Sequence, residues 1–230
     1  MTGKRRTTAR KTKQTQTAER AVAAIRRFLG RDQQTAVSQL AQKKRDPFRI
    51  LISTMLSLRT KDEVTLAASR RLFERADTPE ALARLPVKTI EKLIYPAGFY
   101  HTKARSIQAV AKQLLADYNG IVPDSIEELV QFKGVGRKTA NLVITLGYGK
   151  PGICVDTHVH RISNRLGIVA TTTPDRTELA LREVLPRRHW IGYNELLVLF
   201  GQQVCKPVSP HCSSCGLKSF CPRIGVGRSR

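Results

Sequence analysis

Four cysteines near the C-terminus constrain what this chain can fold around. Cys205, Cys212, Cys215 and Cys221 form the pattern C-x6-C-x2-C-x5-C, and only Cys154 lies outside it. Thiols this close in sequence can bind zinc, hold an iron–sulfur cluster or form two disulfides. The odd number of cysteines and the absence of a signal-peptide pattern lead us to expect an intracellular protein without disulfides. The spacing contains a single C-x2-C pair and leaves zinc and an iron–sulfur cluster equally open.

The charge of the chain indicates its partner. Lys and Arg number 40 against 18 Asp and Glu, which gives a formal net charge of +22 at pH 7. A field of this sign and size is typical of proteins that bind a polyanion, and nucleic acid is the first expectation. No run of apolar residues approaches the roughly 18 that a membrane span requires, so we expect no membrane partner.

The first 17 residues are basic and almost free of apolar side chains. Such a composition cannot offset the entropy lost on ordering, and it predicts a disordered tail over residues 1–17 that contacts phosphates without sequence preference. Its basic residues are Lys4, Arg5, Arg6, Arg10, Lys11 and Lys13.

From residue 18 onward the apolar residues recur at helical spacing, and no alternating strand pattern is found. Thr78 and Thr173 each precede a proline, which is the usual sequence of a helix N-cap and first turn. The pattern predicts an all-α protein of about ten helices with short connections. Its best breaks are Asp46-Pro47 and residues 147–152.

A glycine-rich turn joins two of the predicted helices. It reads Lys133-Gly134-Val135-Gly136-Arg137, with apolar residues on both sides. Glycines allow the backbone to approach a ligand closely, and the N–H groups at a helix start attract anions. In a chain this basic, the turn predicts a DNA phosphate site that uses Lys133, Gly134, Val135, Gly136 and Arg137.

Lys138 and Asp156 are the candidate catalytic pair. Lys138 lies in the first turn of the second helix, and an amine there could attack C1′ of a nucleotide, displace the base and form a Schiff base. Asp156 follows an apolar run and precedes His158. Its carboxylate could stabilise positive charge on the sugar, or it could act only as a helix N-cap, and the two roles are compatible.

Three motifs together resemble the endonuclease III family of helix-hairpin-helix DNA glycosylases. They are Gly134-Val135-Gly136-Arg137-Lys138-Thr139-Ala140-Asn141, Val155-Asp156-Thr157-His158 and the cysteine pattern. The resemblance runs from about residue 18 to residue 222. It implies an all-α fold of two helical domains with a DNA-binding cleft between them. One is a six-helix barrel over 43–150, and the other is a cluster domain made of 18–42 and 151–224. It also implies that the four cysteines hold a 4Fe-4S cluster.

The resemblance assigns roles to single residues as well. It implies that Lys138 forms the Schiff base, that Asp156 is the catalytic carboxylate, and that Arg59 and Phe99 fill the gap left by the extruded nucleotide. Arg59 stands where relatives often carry glutamine, and Phe99 stands where leucine is usual. Lys133 replaces a common proline. These departures leave the preferred opposite base open.

The function implied is base excision repair. We expect a monomeric glycosylase with AP lyase activity in the cytoplasm of a prokaryote. It would act on double-stranded DNA that contains oxidised or ring-saturated pyrimidines, or abasic sites. An adenine-specific enzyme is disfavoured because Thr54 stands where an acid would be needed. A mismatch thymine or uracil glycosylase and a non-catalytic helix-hairpin-helix DNA-binding protein remain alternatives.

Overall fold

All the regular secondary structure is helical in the part of the protein that the computed structural model describes. That part comprises residues 2–30, 34–43 and 45–230, without the side chains of 2–7, 42 and 43. Within it the chain forms twelve α-helices, one π-helical turn and one 3-10 turn, and no β-strand. The all-α fold predicted from the apolar spacing is therefore confirmed. None of the described helices combines the length and apolar character needed to span a membrane.

The chain divides into two compact units. The terminal unit comprises Met1–Gln34 and Ile153–Arg230, and the central unit comprises Thr35–Gly152. The predicted boundary at residue 43 differs from this division, because α2 (Ala36–Lys43) belongs to the central unit. The reason is packing, since Val37 and Ala41 of α2 are buried in the central core.

The central unit is built around one apolar helix. Besides α2, the unit contains α3 Pro47–Ser57, α4 Asp62–Arg75, α5 Pro79–Arg84, α6 Val87–Ile94, α7 Tyr100–Tyr118, α8 Ile126–Leu129 and α9 Arg137–Leu142, followed by a π-helical turn over Val143–Gly147. The apolar helix at its centre is α3. Helix α3 is buried on nearly every side and packs against α2, α4, α7 and α9. Burial of each large side chain stabilises the unit by about 1.5–3 kcal/mol. The ends of α3 and α7 are therefore held on a rigid core.

Helix starts follow the capping signals in the sequence. Asp46 accepts from the backbone N–H groups of the next turn at 3.0 and 3.2 Å. Thr78 caps α5 in the same way at 3.2 Å, and Thr173 caps α11 (Pro174–Val184) at 3.3 Å. A proline follows each cap in the first turn, where its missing N–H costs nothing.

The terminal unit joins the two ends of the chain. It contains α1 Thr2–Leu29, α10 Thr157–Arg165, α11 Pro174–Val184 and α12 Trp190–Gln203, with a 3-10 turn at Arg187–His189. Helix α12 packs against α1 and α10. Residues 204–230 form turns and irregular backbone, and the Ser213 N–H donates to the Arg230 carbonyl at 2.8 Å.

The predicted disordered tail over residues 1–17 is wrong. Helix α1 begins at Thr2, and the Thr15 hydroxyl donates to the Val184 carbonyl at 2.9 Å. Lys11 also forms an ion pair with Glu183 at 2.6 Å. The prediction failed because an apolar face from Ala18 onward already anchors α1 in the core, and extending a formed helix requires no new nucleus.

The docked N-terminal half of α1 makes a prediction about stability. Thr15→Pro should lower the free energy of unfolding of the terminal unit by about 3 kcal/mol, because proline breaks a helix interior. Denaturant unfolding followed by the fluorescence of Trp190, the one tryptophan of the chain, measures this. Thr12→Ala is the control, because the Thr12 hydroxyl bonds only to the carbonyl of Thr8 within the same helix. Equal stability of Thr15→Pro and the wild type would show that the segment is not docked.

Candidate nucleic-acid interface and cysteine centre

The two glycines of the predicted phosphate turn have different reasons to be glycine. Gly134 has φ +88°, a backbone region that other residues rarely adopt. Gly136 has an ordinary φ of −95° and is the N-cap of α9. A Cβ atom at Gly136 would meet no protein atom within 4 Å. Gly134 therefore allows the backbone conformation of the turn, and Gly136 leaves open space in front of the turn.

The polar groups around this turn suit an anion. Gly134 and Gly136 are exposed, and their N–H groups donate no hydrogen bond within the described part of the chain. The side chains of Lys133 and Arg137 are also exposed. Val135 corrects the sequence prediction: its side chain is 5% exposed and its N–H donates to the Phe132 carbonyl at 3.0 Å. Val135 therefore anchors the turn in the core and offers no group to a phosphate.

Lys138 lies two residues after the N-cap of α9 and is half-buried. Asp62, at the start of α4, lies near enough to interact with its charge. Burial raises the pKa of the Asp62 carboxyl, while the Ala36 N–H and the Lys138 charge lower it. Sequence analysis missed Asp62, because an acid in the first turn of a helix is common for structural reasons alone. Its neighbour in space stands 76 residues later in the chain.

Asp156 is the N-cap of α10 in the terminal unit. One carboxylate oxygen accepts from the N–H groups of His158 and Val159, both at 2.9 Å. The residue is 9% exposed. The N-cap interpretation is therefore confirmed, and the two bonds fix the orientation of the carboxylate. Lys138 and Asp156 belong to different units.

Arg59 and Phe99 lie side by side at the surface of the central unit. The guanidinium carbon of Arg59 is 5.7 Å from the centre of the Phe99 ring. Both residues adopt left-handed backbone, with φ +53° and +57°. Such a conformation costs a non-glycine residue about 1–2 kcal/mol. Phe99 is 63% exposed, so its ring is not part of the hydrophobic core.

The four cysteines of the C-terminal pattern line one cavity in the terminal unit. Leu166, Phe200, Val204 and Leu217 contribute its apolar walls. All four thiols are free, with no disulfide between them. An Arg165 N–H donates to the Cys205 sulfur at 3.4 Å, and the Leu217 N–H donates to the Cys215 sulfur at 3.4 Å. Donors aimed at sulfur suit a negatively charged thiolate.

The electrostatics of the cavity call for a positively charged ligand. Burial raises the pKa of the Cys215 and Cys221 thiols, and the neighbouring thiols raise it further. Burial therefore favours the neutral thiols, and a thiolate in this cavity would need a positive charge beside it. Among the described residues, no three His, Cys, Asp or Glu side chains converge closely enough to ligate one ion.

Comparison with known proteins places this geometry in a family. Residues 52–187 match the profile described as "HhH-GPD superfamily base excision DNA repair protein". The chain is 51% identical to "Endonuclease III" of Thermotoga maritima over 191 residues, which is 82% of the chain and 90% of that relative. Some other relatives are longer, and the chain spans 48% of their length.

Two solved structures share the fold. One is described as "Structure of a non-covalent Endonuclease III-DNA Complex", with a TM-score of 0.81, 34% identity and coverage of 91% of this chain and 95% of that one. The other is described as a trapped endonuclease III–DNA covalent intermediate, with a TM-score of 0.73 and 38% identity. It covers 78% of this chain and 85% of that one.

The cap geometry of Asp156 makes a prediction that separates its two roles. Asp156→Ala should lower the free energy of unfolding of the terminal unit by about 1 kcal/mol, because two N–H groups of α10 lose their acceptor. Asp156→Asn should leave it nearly unchanged, because asparagine caps helices as well as aspartate does. Trp190 fluorescence during denaturant unfolding measures both. An equal loss in the two variants would mean that the charge, not the cap, stabilises α10.

Proposed function

Because the chain belongs to the HhH-GPD superfamily of base excision DNA repair proteins, it has a DNA glycosylase and lyase role, and we propose that Lys138 is the nucleophile. The observation that carries this proposal is the position of Lys138 in the first turn of α9, directly after a glycine turn with unpaired, exposed N–H groups. Phosphate bound at that turn would bring the sugar of a nearby nucleotide toward the amine.

The proposed reaction has two stages. The amine nitrogen of Lys138 bonds to C1′ of an extruded nucleotide while the C1′–N bond to the base breaks, and the base leaves with a proton that the amine gives up. Opening of the sugar ring then gives an imine between C1′ and the lysine nitrogen. The imine acidifies the C2′ hydrogen, and its loss expels the 3′ phosphate by β-elimination. Water hydrolyses the imine and returns the free lysine.

The carboxylate of Asp156 would stabilise positive charge on the sugar during the first stage. Its two backbone hydrogen bonds hold the carboxylate in one orientation, and its 9% exposure keeps the surroundings poor in water. Both features strengthen an electrostatic interaction with a developing cation. We therefore expect Asp156 to affect the rate of base release more than the affinity for DNA.

The proposed substrates are oxidised or ring-saturated pyrimidines in double-stranded DNA. These bases pair and stack poorly, which lowers the cost of extruding them. Thr54 is fully buried at the position where an adenine-specific relative would need an acid. A mismatch thymine or uracil glycosylase is the second candidate. A lysine that can form a Schiff base favours the enzyme that acts on oxidised or ring-saturated pyrimidines over the mismatch glycosylase. It also disfavours a protein that only binds DNA.

The DNA contacts follow from charge and exposure. The net charge of +22 would attract the duplex, and the exposed Lys133, Arg137 and N–H groups of Gly134 and Gly136 would bind a phosphate. Arg59 and Phe99 would occupy the gap left by the extruded nucleotide. We propose that the protein acts as a monomer at the DNA of the cell.

We propose that Cys205, Cys212, Cys215 and Cys221 hold a 4Fe-4S cluster. Support comes from their shared cavity and from the N–H donors aimed at two of the sulfurs. When bound, a cluster would cross-link the irregular segment after α12 and contribute folding free energy.

Borohydride trapping tests the role of Lys138. A duplex with one thymine glycol and borohydride should give a covalent adduct with the wild type, and Lys138→Gln should give none, because an amide nitrogen cannot form the imine. Lys133→Gln removes a neighbouring charge from the same turn and should still give the adduct. Denaturing gel electrophoresis measures the fraction trapped.

The controls decide between the candidate functions. An adduct with Lys138→Gln at the wild-type level would exclude Lys138 as the nucleophile. An adduct with an abasic site but none with thymine glycol would keep the lyase and refute the proposed substrate. No adduct with either, from protein that binds the duplex, would indicate a non-catalytic DNA-binding protein.

Metal analysis tests the cysteine centre. The purified protein should contain about four irons and four acid-labile sulfides per chain, as a cubane cluster requires. Replacing any one of the four cysteines by Ala should lower the iron content. Cys154→Ala is the matched control, because Cys154 is a buried cysteine of the same unit that does not line the cavity. One zinc per chain without sulfide would contradict the cluster.

A further inference from the structure

Lys103 is a buried cation with three acceptors. It lies in the first turn of α7, and the residue is 8% exposed. Its ammonium group donates to the carbonyls of Leu56 and Leu58, each at 2.6 Å, and to the hydroxyl of Thr60 at 2.8 Å. An ammonium has three hydrogens, so each one has a partner. All three partners belong to the end of α3 and the loop that follows it.

These acceptors explain how the chain leaves α3. The last carbonyls of a helix have no partner inside the helix and need one elsewhere. Lys103 supplies it from α7, at the point where the backbone turns into the left-handed conformation of Arg59. The loop is therefore held by a side chain that lies 43 to 47 residues away in sequence.

The Thr60 hydroxyl extends this network to a second loop. It accepts from the Gly98 N–H at 3.1 Å, in addition to accepting from Lys103. The two backbones are so close that a Cβ atom at Gly98 would lie 2.6 Å from the Arg59 carbonyl oxygen. We call residues 58–60 and 98–99 the paired loops. Arg59 and Phe99 extend from them into solvent side by side.

Burying the charged ammonium group of Lys103 costs free energy. The residue must therefore contribute something that offsets this cost. Burial lowers the pKa of Lys103 to about 8, so the amine is still mostly protonated at neutral pH and can donate all three hydrogens. An apolar side chain of similar length would fill the same space without the desolvation penalty. The Leu56 carbonyl would then lose its donor, and the Leu58 carbonyl and the Thr60 hydroxyl would each lose one of two donors.

We propose that Lys103 is a positioning residue that locks the paired loops together, so that Arg59 and Phe99 enter damaged duplex DNA as one rigid element. This inference rests on the proposed function. It assigns Lys103 no contact with DNA. Its effect is confined to the step in which the target nucleotide leaves the stack and the vacated gap is filled.

Lys103→Met tests the inference, because methionine keeps an unbranched chain of similar length and removes the donors. The rate of thymine glycol excision in a single turnover with saturating full-length protein should fall at least tenfold. Affinity for undamaged duplex should stay within twofold of wild type, because no gap opens there and phosphate contacts dominate. Lys112→Met, an exposed lysine of the same helix, should change neither quantity.

A double-variant comparison separates positioning from general loss of structure. If Lys103 acts through Phe99, then Lys103→Met combined with Phe99→Ala should be no slower than Phe99→Ala alone. Effects that multiply would overturn the inference, because they would show that the two residues act independently. An unchanged excision rate in Lys103→Met would also overturn it.

Hydrogen exchange provides a readout that does not depend on activity. Lys103→Met should accelerate exchange of the Gly98 amide and of residues 58–60 at least tenfold, while the buried middle of α7 keeps its protection. Unchanged exchange at Gly98 would refute the lock, even if the wild type proved to excise no base. Failure of the proposed function, by contrast, would appear as absence of excision in the wild type itself.

Discussion

The turn between Phe132 and Arg137 fixes the candidate site. Gly134 supplies the left-handed backbone of the turn that follows α8, and Gly136 is the N-cap of the next helix, so α9 begins at Arg137. A helix start directs N–H groups outward and places Lys138 in the first turn beside them. Moving that start by one residue would rotate the lysine by about 100° around the helix axis. Phosphate binding and the position of the nucleophile therefore depend on the same short turn.

A rigid core makes such a turn and the neighbouring loops possible. Phe132 and Val135 are buried on either side of Gly134, and α3 is buried over most of its length. The left-handed residues Arg59 and Phe99 store unfavourable backbone energy, which only a well-packed scaffold with satisfied polar groups can hold. The Lys103 network satisfies those groups. The strained, exposed residues Arg59 and Phe99 and the buried cation of Lys103 thus lie together at the point where DNA would be distorted.

Sequence alone predicted the features that depend on local chemistry. The helix starts after Thr78 and Thr173 were recognisable because a cap and a proline are adjacent in the chain, and Asp46-Pro47 was recognised as a break in the helical pattern. The cysteine set and the lysine after the glycine turn were recognisable from spacing and from the family resemblance. The Asp156 cap is local as well, since its partners are two and three residues away.

Features that depend on distant contacts escaped prediction. Residues 1–17 were predicted to be disordered, because nothing in their composition shows that Thr15 meets the end of α11. Asp62 and Lys103 were not recognised, since each meets its partners only after the central unit folds. Val135 was assigned to the phosphate site as part of the glycine turn, whereas its side chain belongs to the core.

The identity of the lysine that bonds to DNA is the most direct test of this account. The wild-type protein would be trapped with borohydride on a thymine glycol duplex, digested with nuclease and protease, and sequenced by tandem mass spectrometry. We predict that the residual sugar fragment is attached to Lys138. Attachment to another lysine or to the N-terminal amine, with Lys138 unmodified, would contradict the central claim.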